Sequence, residues 1–462
     1  LSRRQRQMCI RDSSGISYEN DPVTGNPVVN RYTDNEDAMF DSDNSPSFDK
    51  HLSRSDWEGT WPTTPTAEQK TVGYEMLDAL TDTSHNNPTD FSEYAYPDSG
   101  LDNGMTLRDM LYDPDGEKND EGEPVDYIDP DEKGRPYVSL DDDRWSALLD
   151  QCSIDELTHL VYNGAYKVEP IESIGAPRVN CSDGPVGWAC FMDKTRFYET
   201  CSYCCQTVIA TTWNKDLAYE FGQMVGDEGL VGAENYDQSP YSGWYAPGAN
   251  IHRSPFGGRN FEYYSEDGVL SGIMAARQIQ GCMDKGVFCF IKHFAVNEQE
   301  THRSVSGDSS WLTEQSMREI YLRPFEIAVK EGKTRAVMSS FNRIGTRWTG
   351  GDYRLLTEIL RDEWGFEGAV LTDFNTIPAY MNTRQMAYAG GDIDLATDEH
   401  VWVDEGSTAD LVVLRQCVQN VLYAVVNSNA MNGEVIGYNL PIWQIVFIVL
   451  LCVLVVGAAV WG

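Results

Sequence analysis

Through the middle of the chain, short apolar runs alternate with longer stretches whose apolar residues recur at helical spacing. The runs Arg178–Cys181, Val208–Ala210, Trp244–Ala246, Val287–Ile291, Ala336–Phe341, Ala369–Thr372 and Ile393–Ala396 predict strands. Lys215–Glu234, Asp267–Lys285, Glu314–Lys330, Tyr353–Trp364 and Pro378–Ala389 predict helices between them. Runs of this kind, without polar alternation, suit strands covered on both faces. The repeated strand-then-helix order predicts an α/β fold, a parallel (β/α)8-like barrel rather than an open sheet. Seven strands are recognised and an eighth is not, so an incomplete barrel is allowed for.

The same patterning divides the chain. Residues 143–427 form the barrel domain, entered through Asp143–Gly164, where Ser153 and Glu156 have capping-box spacing, and closed by a helix over Thr408–Asn427. Residues 14–142 read as an acidic, irregular linker and remnant, with one short helix in AEQKTVGYEMLDAL. Residues 1–13 (LSRRQRQMCIRDS) are basic without the apolar core of a secretion signal and read as an artefactual leader. Residues 428–440 are a tether. Pro441–Gly462 carries no charge over 22 residues, about 33 Å as a helix, and predicts a transmembrane helix with Trp443 and Trp461 at its two interfaces. That places the protein at the cell membrane with its barrel outside.

Composition removes several classes. A net charge of −37 on 462 residues excludes a nucleic-acid partner, which would be repelled. The 11 cysteines have no framework spacing, and Cys201-x-x-Cys204-Cys205 lacks a second ligand pair, so no metal is assigned. No glycine-rich phosphate loop follows the first strand, and no cofactor is assigned.

The chemistry gathers where strands end, which in a parallel barrel is one mouth. Asp373 closes the run Ala369-Val370-Leu371 in GAVLTDFN as a candidate nucleophile or base; taken alone, a helix N-cap is the commoner reading of such an Asp. Asp183 follows the first strand, Arg253 and Arg259 the third, Asn342 and Arg343 the fifth; Lys292 and His293 end the fourth. Trp188, Tyr245, Phe341 and Phe374 are candidate apolar walls. Such a mouth suits phosphate, or a sugar whose hydroxyls need donors and acceptors. Neighbouring strand residues point to opposite faces, so Lys292 and His293 reach one ligand only if the backbone departs from regular geometry there.

The series SDGPVG, APGANIHRSPFGGRNFEYYSEDG, FIKHFAVNEQETHR, REIYLRPF, VMSSFNRIG and LLTEILRDEWGFEGAVLTD resembles the catalytic barrel of glycoside hydrolase family 3, the β-glucosidase family, over about Trp145–Asn432. The resemblance implies retaining hydrolysis of terminal β-glycosidic bonds through a covalent glycosyl-aspartate, on an oligosaccharide or β-glycoside substrate. It puts the nucleophile on Asp373 and the sugar-hydroxyl ligands on Asp183, Arg259, Lys292, His293 and Arg303. Three positions depart from the family pattern: Thr372 and Phe374 flank Asp373 where the family has Ser-Asp-Trp, and Phe341 stands for a tyrosine. The Asp-Ser-His-type loop of the N-acetylglucosaminidase branch is absent after KHF, which implies the glucosidase pattern, with its acid/base glutamate on a separate sandwich domain. In the reversed-order variant of the family that domain comes first, so it is expected upstream of residue 1 and missing here. Glu298, Glu300 and His302 are local alternatives for the acid. A non-catalytic, membrane-anchored sugar-binding protein is the alternative reading, and a phosphate-binding barrel enzyme a third.

Overall fold

The computed structural model describes residues 20–32, 74–189 (without 120–123, 125, 129, 132, 133 and 135), 200–231, 241–375 (without 302 and 304–306), 380–396 and 402–432. The predicted transmembrane stretch at 441–462, the leader and His302 lie outside these residues. Among the described residues the strands are β1 (Lys167–Val168), β2 (Val179–Ser182), β3 (Tyr241–Trp244), β4 (Phe288–Phe294), β5 (Ser309–Ser310), β6 (Ala336–Ser339), β7 (Arg343–Ile344), β8 (Arg347–Trp348) and β9 (Ala369–Leu371).

One sheet runs β1-β2-β3-β4-β6-β9 and a small one β5-β7-β8. From β2 to β9 every pairing in the large sheet is parallel, whereas β1 is antiparallel to β2. Parallel strands need crossovers, and the helices Lys215–Val231, Gly268–Met283 and Arg323–Lys330 lie between successive strands in the chain. The pleat sorts side chains into two cores. Phe288, Phe290, Met338 and Leu371 join one cluster with the Thr408–Val426 helix, while Cys289, Ile291, Val337 and Val370 join another with the crossover helices. Two of those helices touch backbone to backbone: a Cβ on Gly222 would lie 2.0 Å from the Gln278 carbonyl oxygen, and one on Gly281 2.1 Å from that of Tyr219.

The regular sheet is therefore a half-barrel rather than a (β/α)8 ring. Ile393–Ala396, expected as a strand, makes only a single bridge from Ile393 to Leu371. The segment still bonds alongside β9 through its main chain, Ile393 N–H to the Val370 carbonyl and Thr372 N–H to the Ile393 carbonyl, both at 3.0 Å, while the buried Asp394 side chain accepts hydrogen bonds from Thr372, Asn375 and Thr383. Main-chain bonds nonetheless continue from 394 to Val161 and Gly164, so irregular segments stand where further strands were expected. Val208–Ala210 is helical, within Gln206–Thr211, with Ile209 and Ala210 buried and Val208 exposed; three apolar residues are too few to reveal their period. The capping box at Ser153 and Glu156 forms as predicted.

Among the described residues one helix, Thr408–Val426, is long and apolar enough to cross a membrane, but it is largely buried within the domain. On the outer flank, residues 20–32 are tied to distant helices. Glu314 accepts the main-chain N–H groups of Arg31 and Tyr32 at 2.6 and 2.7 Å. Arg318 bridges Glu314 and Glu363, and Lys330 pairs with Asp21 and Glu326.

Candidate active site

Gly368 lets the chain turn into β9. Its φ of +139° is open to glycine, and a Cβ there would meet the Arg335 carbonyl oxygen at 2.1 Å. Three residues of β9 then carry Asp373 to the sheet's carboxyl end, where its Oδ1 accepts the Phe374 N–H at 2.8 Å. Its Oδ2 lies 3.1 Å from Arg303 Nη1 and 3.8 Å from His293 Nε2.

The backbone departs from regular strand geometry at the Lys292–His293 pair. Register with β6 shifts between Ile291 and Phe294, and the Lys292–His293 and Phe294–Ala295 peptides are cis. Lys292 Nζ reaches Asp183 Oδ1 at 2.6 Å and Glu262 Oε1 at 3.1 Å, while the next residue, His293, faces Asp373. From Glu262 the charges continue through Arg259 at 2.6 Å, to Glu300 at 3.9 Å from Arg259 Nη1, to Arg303 at 2.8 Å, and so to Asp373. Asp183, Lys292, Arg259, Arg303 and Asp373 thus belong to one alternating chain of charges, with His293 beside its Asp373 end.

Electrostatics fix the protonation of its members. Burial alone would raise the Glu262 carboxyl, but Lys292 and Arg259 outweigh it and hold it at about 2. Lys292 is fully buried, which opposes its charge, yet Asp183 and Glu262 raise it further. His293 is pushed well below its ordinary value by burial and then by Arg259, Lys292 and Arg303, so it is neutral. The Tyr263 hydroxyl lies 3.3 Å and Asn297 Nδ2 3.4 Å from His293 Nδ1, while Nε2 is turned toward Asp373. Asn250 grips the same residue by its backbone: His293 N–H donates to Oδ1 at 2.7 Å, and Nδ2 donates to the His293 carbonyl at 3.0 Å.

Several expected residues lie elsewhere. Arg253 is exposed and reaches Gln299 rather than the charge chain. Arg343 packs over the Tyr380 ring. Trp188 is buried between Tyr241 and Trp244, and Tyr245 donates to the Gly164 carbonyl in the core, so neither walls the mouth. Phe341 lies under the Arg303 guanidinium, 4.6 Å from its ring centroid. Of the local acid candidates, Glu300 is engaged by Arg303 and Asn297, and Glu298 turns to Asn250 and Ile251. Glu262, Asn250, Asn297, Tyr263 and Tyr380 were not anticipated. For Glu262 a signal existed, since Arg259 and Glu262 stand three apart and their ion pair spans one 3-10 turn.

A parallel half-barrel with a carboxylate held among cations at its strand ends defines a barrel enzyme class with a site for polar ligands. The family model described as the glycosyl hydrolase family 3 N terminal domain matches residues 193–423, half of the chain, and the chain belongs to this family. It is 39% identical over 204 residues to beta-glucosidase A of Butyrivibrio fibrisolvens, covering 44% of this chain and 23% of that one. It is 36% identical over 280 residues to a beta-glucosidase of Ruminococcus albus, covering 56% and 28%. Among solved structures it resembles beta-glucosidase 3B from Thermotoga neapolitana in complex with glucose, with a TM-score of 0.54, 33% identity, and 63% and 43% of the two chains covered. The chain spans about a quarter of the length of the curated relatives it matches.

Proposed function

We propose that the chain is the barrel portion of a retaining β-glucosidase. In this reading Asp373 attacks the anomeric carbon, the glycosidic C–O bond breaks, and water later hydrolyses the resulting glycosyl ester. Asp183, Arg259, Lys292, His293 and Arg303 bind the sugar hydroxyls as charged or oriented donors and acceptors. The observation that carries the reading is the Asp373 carboxylate, held at 3.1 Å by Arg303 and facing the neutral His293, at the end of the same charge chain as Lys292 and Arg259. Retaining chemistry also needs a second carboxyl group to protonate the leaving oxygen. Glu298 and Glu300 are engaged elsewhere, which favours an acid supplied by a further, upstream domain. The uncharged run at 441–462 supports a membrane anchor.

A nitrophenyl β-glucoside tests the chemistry, because its leaving group departs with little protonation. Incubation with a slow 2-fluoro glucoside followed by peptide mapping is expected to label Asp373 and to give no label in Asp373→Ala. A label on another residue ends the assignment. Glucose binding without any label favours a sugar-binding protein.

A further inference from the structure

Residues 297–300 form a wall with two sides. Asn297 and Glu300 face the charge chain, contacting His293, Tyr263, Arg259 and Arg303. Glu298 and Gln299 line a separate cavity of about 270 Å³, with Arg253, Asp308, Trp311 and Tyr321, and none of the six predicted site residues borders it. Glu298 is buried, and its Oε1 accepts the Ile251 N–H at 3.3 Å and the Asn250 Nδ2 at 3.4 Å. That Asn250 Nδ2 also donates to the His293 carbonyl, while the amide oxygen receives the His293 N–H. One amide thus joins a carboxyl outside the active site to both backbone groups of a residue inside it.

We propose that Glu298 is a positioning residue that acts through the Asn250 amide on His293, and thereby sets how tightly the sugar hydroxyl facing His293 is held. The second half rests on the β-glucosidase reading; the first does not. An ionised Glu298 attracts the Asn250 and Ile251 N–H groups as a charge, fixing the amide so that its oxygen stays on His293 N–H. A protonated Glu298 attracts them less, and the amide loosens. Burial raises this carboxyl to about 7, with the Ile251 and Asn250 donors and the Arg253 charge offsetting it only in part. The switch therefore falls near neutrality. The charged or titratable groups around Glu298 are Arg253 from the loop after β3, Asp308 before β5, Tyr321 from the segment Met317–Tyr321, and His293 through Asn250.

The chain has seven histidines, so nitrogen-15 labelling of histidine gives a countable spectrum of the unliganded protein, in which His293 is assigned by its loss in His293→Gln. The His293 signals are expected to shift with a midpoint near pH 7 in the wild type and in Tyr321→Phe. In Glu298→Gln, which keeps an uncharged acceptor in place, they are expected to stay at the low-pH position throughout. Unchanged titration of His293 in Glu298→Gln overturns the proposal, whether or not sugar binds. Calorimetry with glucose then reads the second half: affinity is expected to rise about fivefold from pH 6 to pH 8 in the wild type and to stay flat in Glu298→Gln. Should the wild type bind no glucose, the β-glucosidase reading falls and the imidazole titration still decides the positioning role.

Discussion

Two regions of this molecule are built from chains of opposite charges, the barrel mouth and the flank that holds residues 20–32. At the mouth Asp183, Arg259 and Glu300 keep 21, 20 and 28% of their side chains accessible. On the flank Arg318 and Glu326 keep 19 and 20%, and each region also has members that are nearly closed off, Lys292 and Glu262 at the mouth, Asp21 and Lys330 on the flank. Density and exposure of charge are therefore poor guides to chemistry. What distinguishes the mouth is that its charges sit at or just after the ends of several parallel strands, whereas those of the flank tie one segment to the helices beneath it.

The largest effect expected from breaking this contrast is on turnover. Asp373→Asn should reduce hydrolysis of a nitrophenyl β-glucoside by about 10³-fold or more while leaving the melting temperature nearly unchanged. On the flank the effect should be one of stability alone. Lys330→Met strands the buried Asp21 and is expected to cost about 3–5 kcal/mol in urea unfolding, with glucose affinity of the folded protein unaltered. Lys292→Met, which leaves the buried Glu262 with Arg259 as its remaining charged partner, should reduce stability and sugar affinity together.

The pH dependence of stability sharpens the comparison. Glu262 is lowered from 4.5 to about 2, so it holds fewer protons folded than unfolded; its contribution is complete above about 4.5 and is lost as pH falls toward 2. Glu363 is shifted the other way, because burial outweighs Arg318, so it binds its proton more firmly when folded and costs stability as pH rises through its ordinary range. Thermal melts from pH 2 to 7 should show Glu262→Gln losing the acid-limb decline and Glu363→Gln relieving the loss above it. The smallest effect concerns the ring under Arg303. Phe341→Leu removes a cation–π contact of about 0.5–1 kcal/mol, a two- to fivefold fall in kcat/KM.

Much of the mouth was legible in sequence, because strand-end position is encoded locally. An apolar run followed by a charged residue placed Asp373, Lys292 and His293 correctly. Side-chain direction in loops was not legible. Arg253 and Arg259 stand six apart in one motif, yet only Arg259 joins the charge chain, because the 3-10 turn at Asn260–Glu262 carries its partner Glu262 alongside it. Trp188 resembled a wall residue, but its indole N–H has a partner at the Val225 carbonyl and its rings pack in the core. The 393–396 segment was expected as a full strand and forms one parallel bridge, from Ile393 to Leu371; its apolar Ile393, Leu395 and Ala396 report burial, not the length of the pairing.

The ties of residues 20–32 bear on the order in which the molecule can be completed. Thr24 donates to the Glu363 carbonyl across 339 positions, and Asp21 meets Lys330 across 309. On the ribosome these residues must wait for partners that are made much later, the first of them Glu314. Docking of this strap is accordingly a late event in biogenesis, and a chain released before residue 314 would lack Glu314, Lys330 and Glu363 alike.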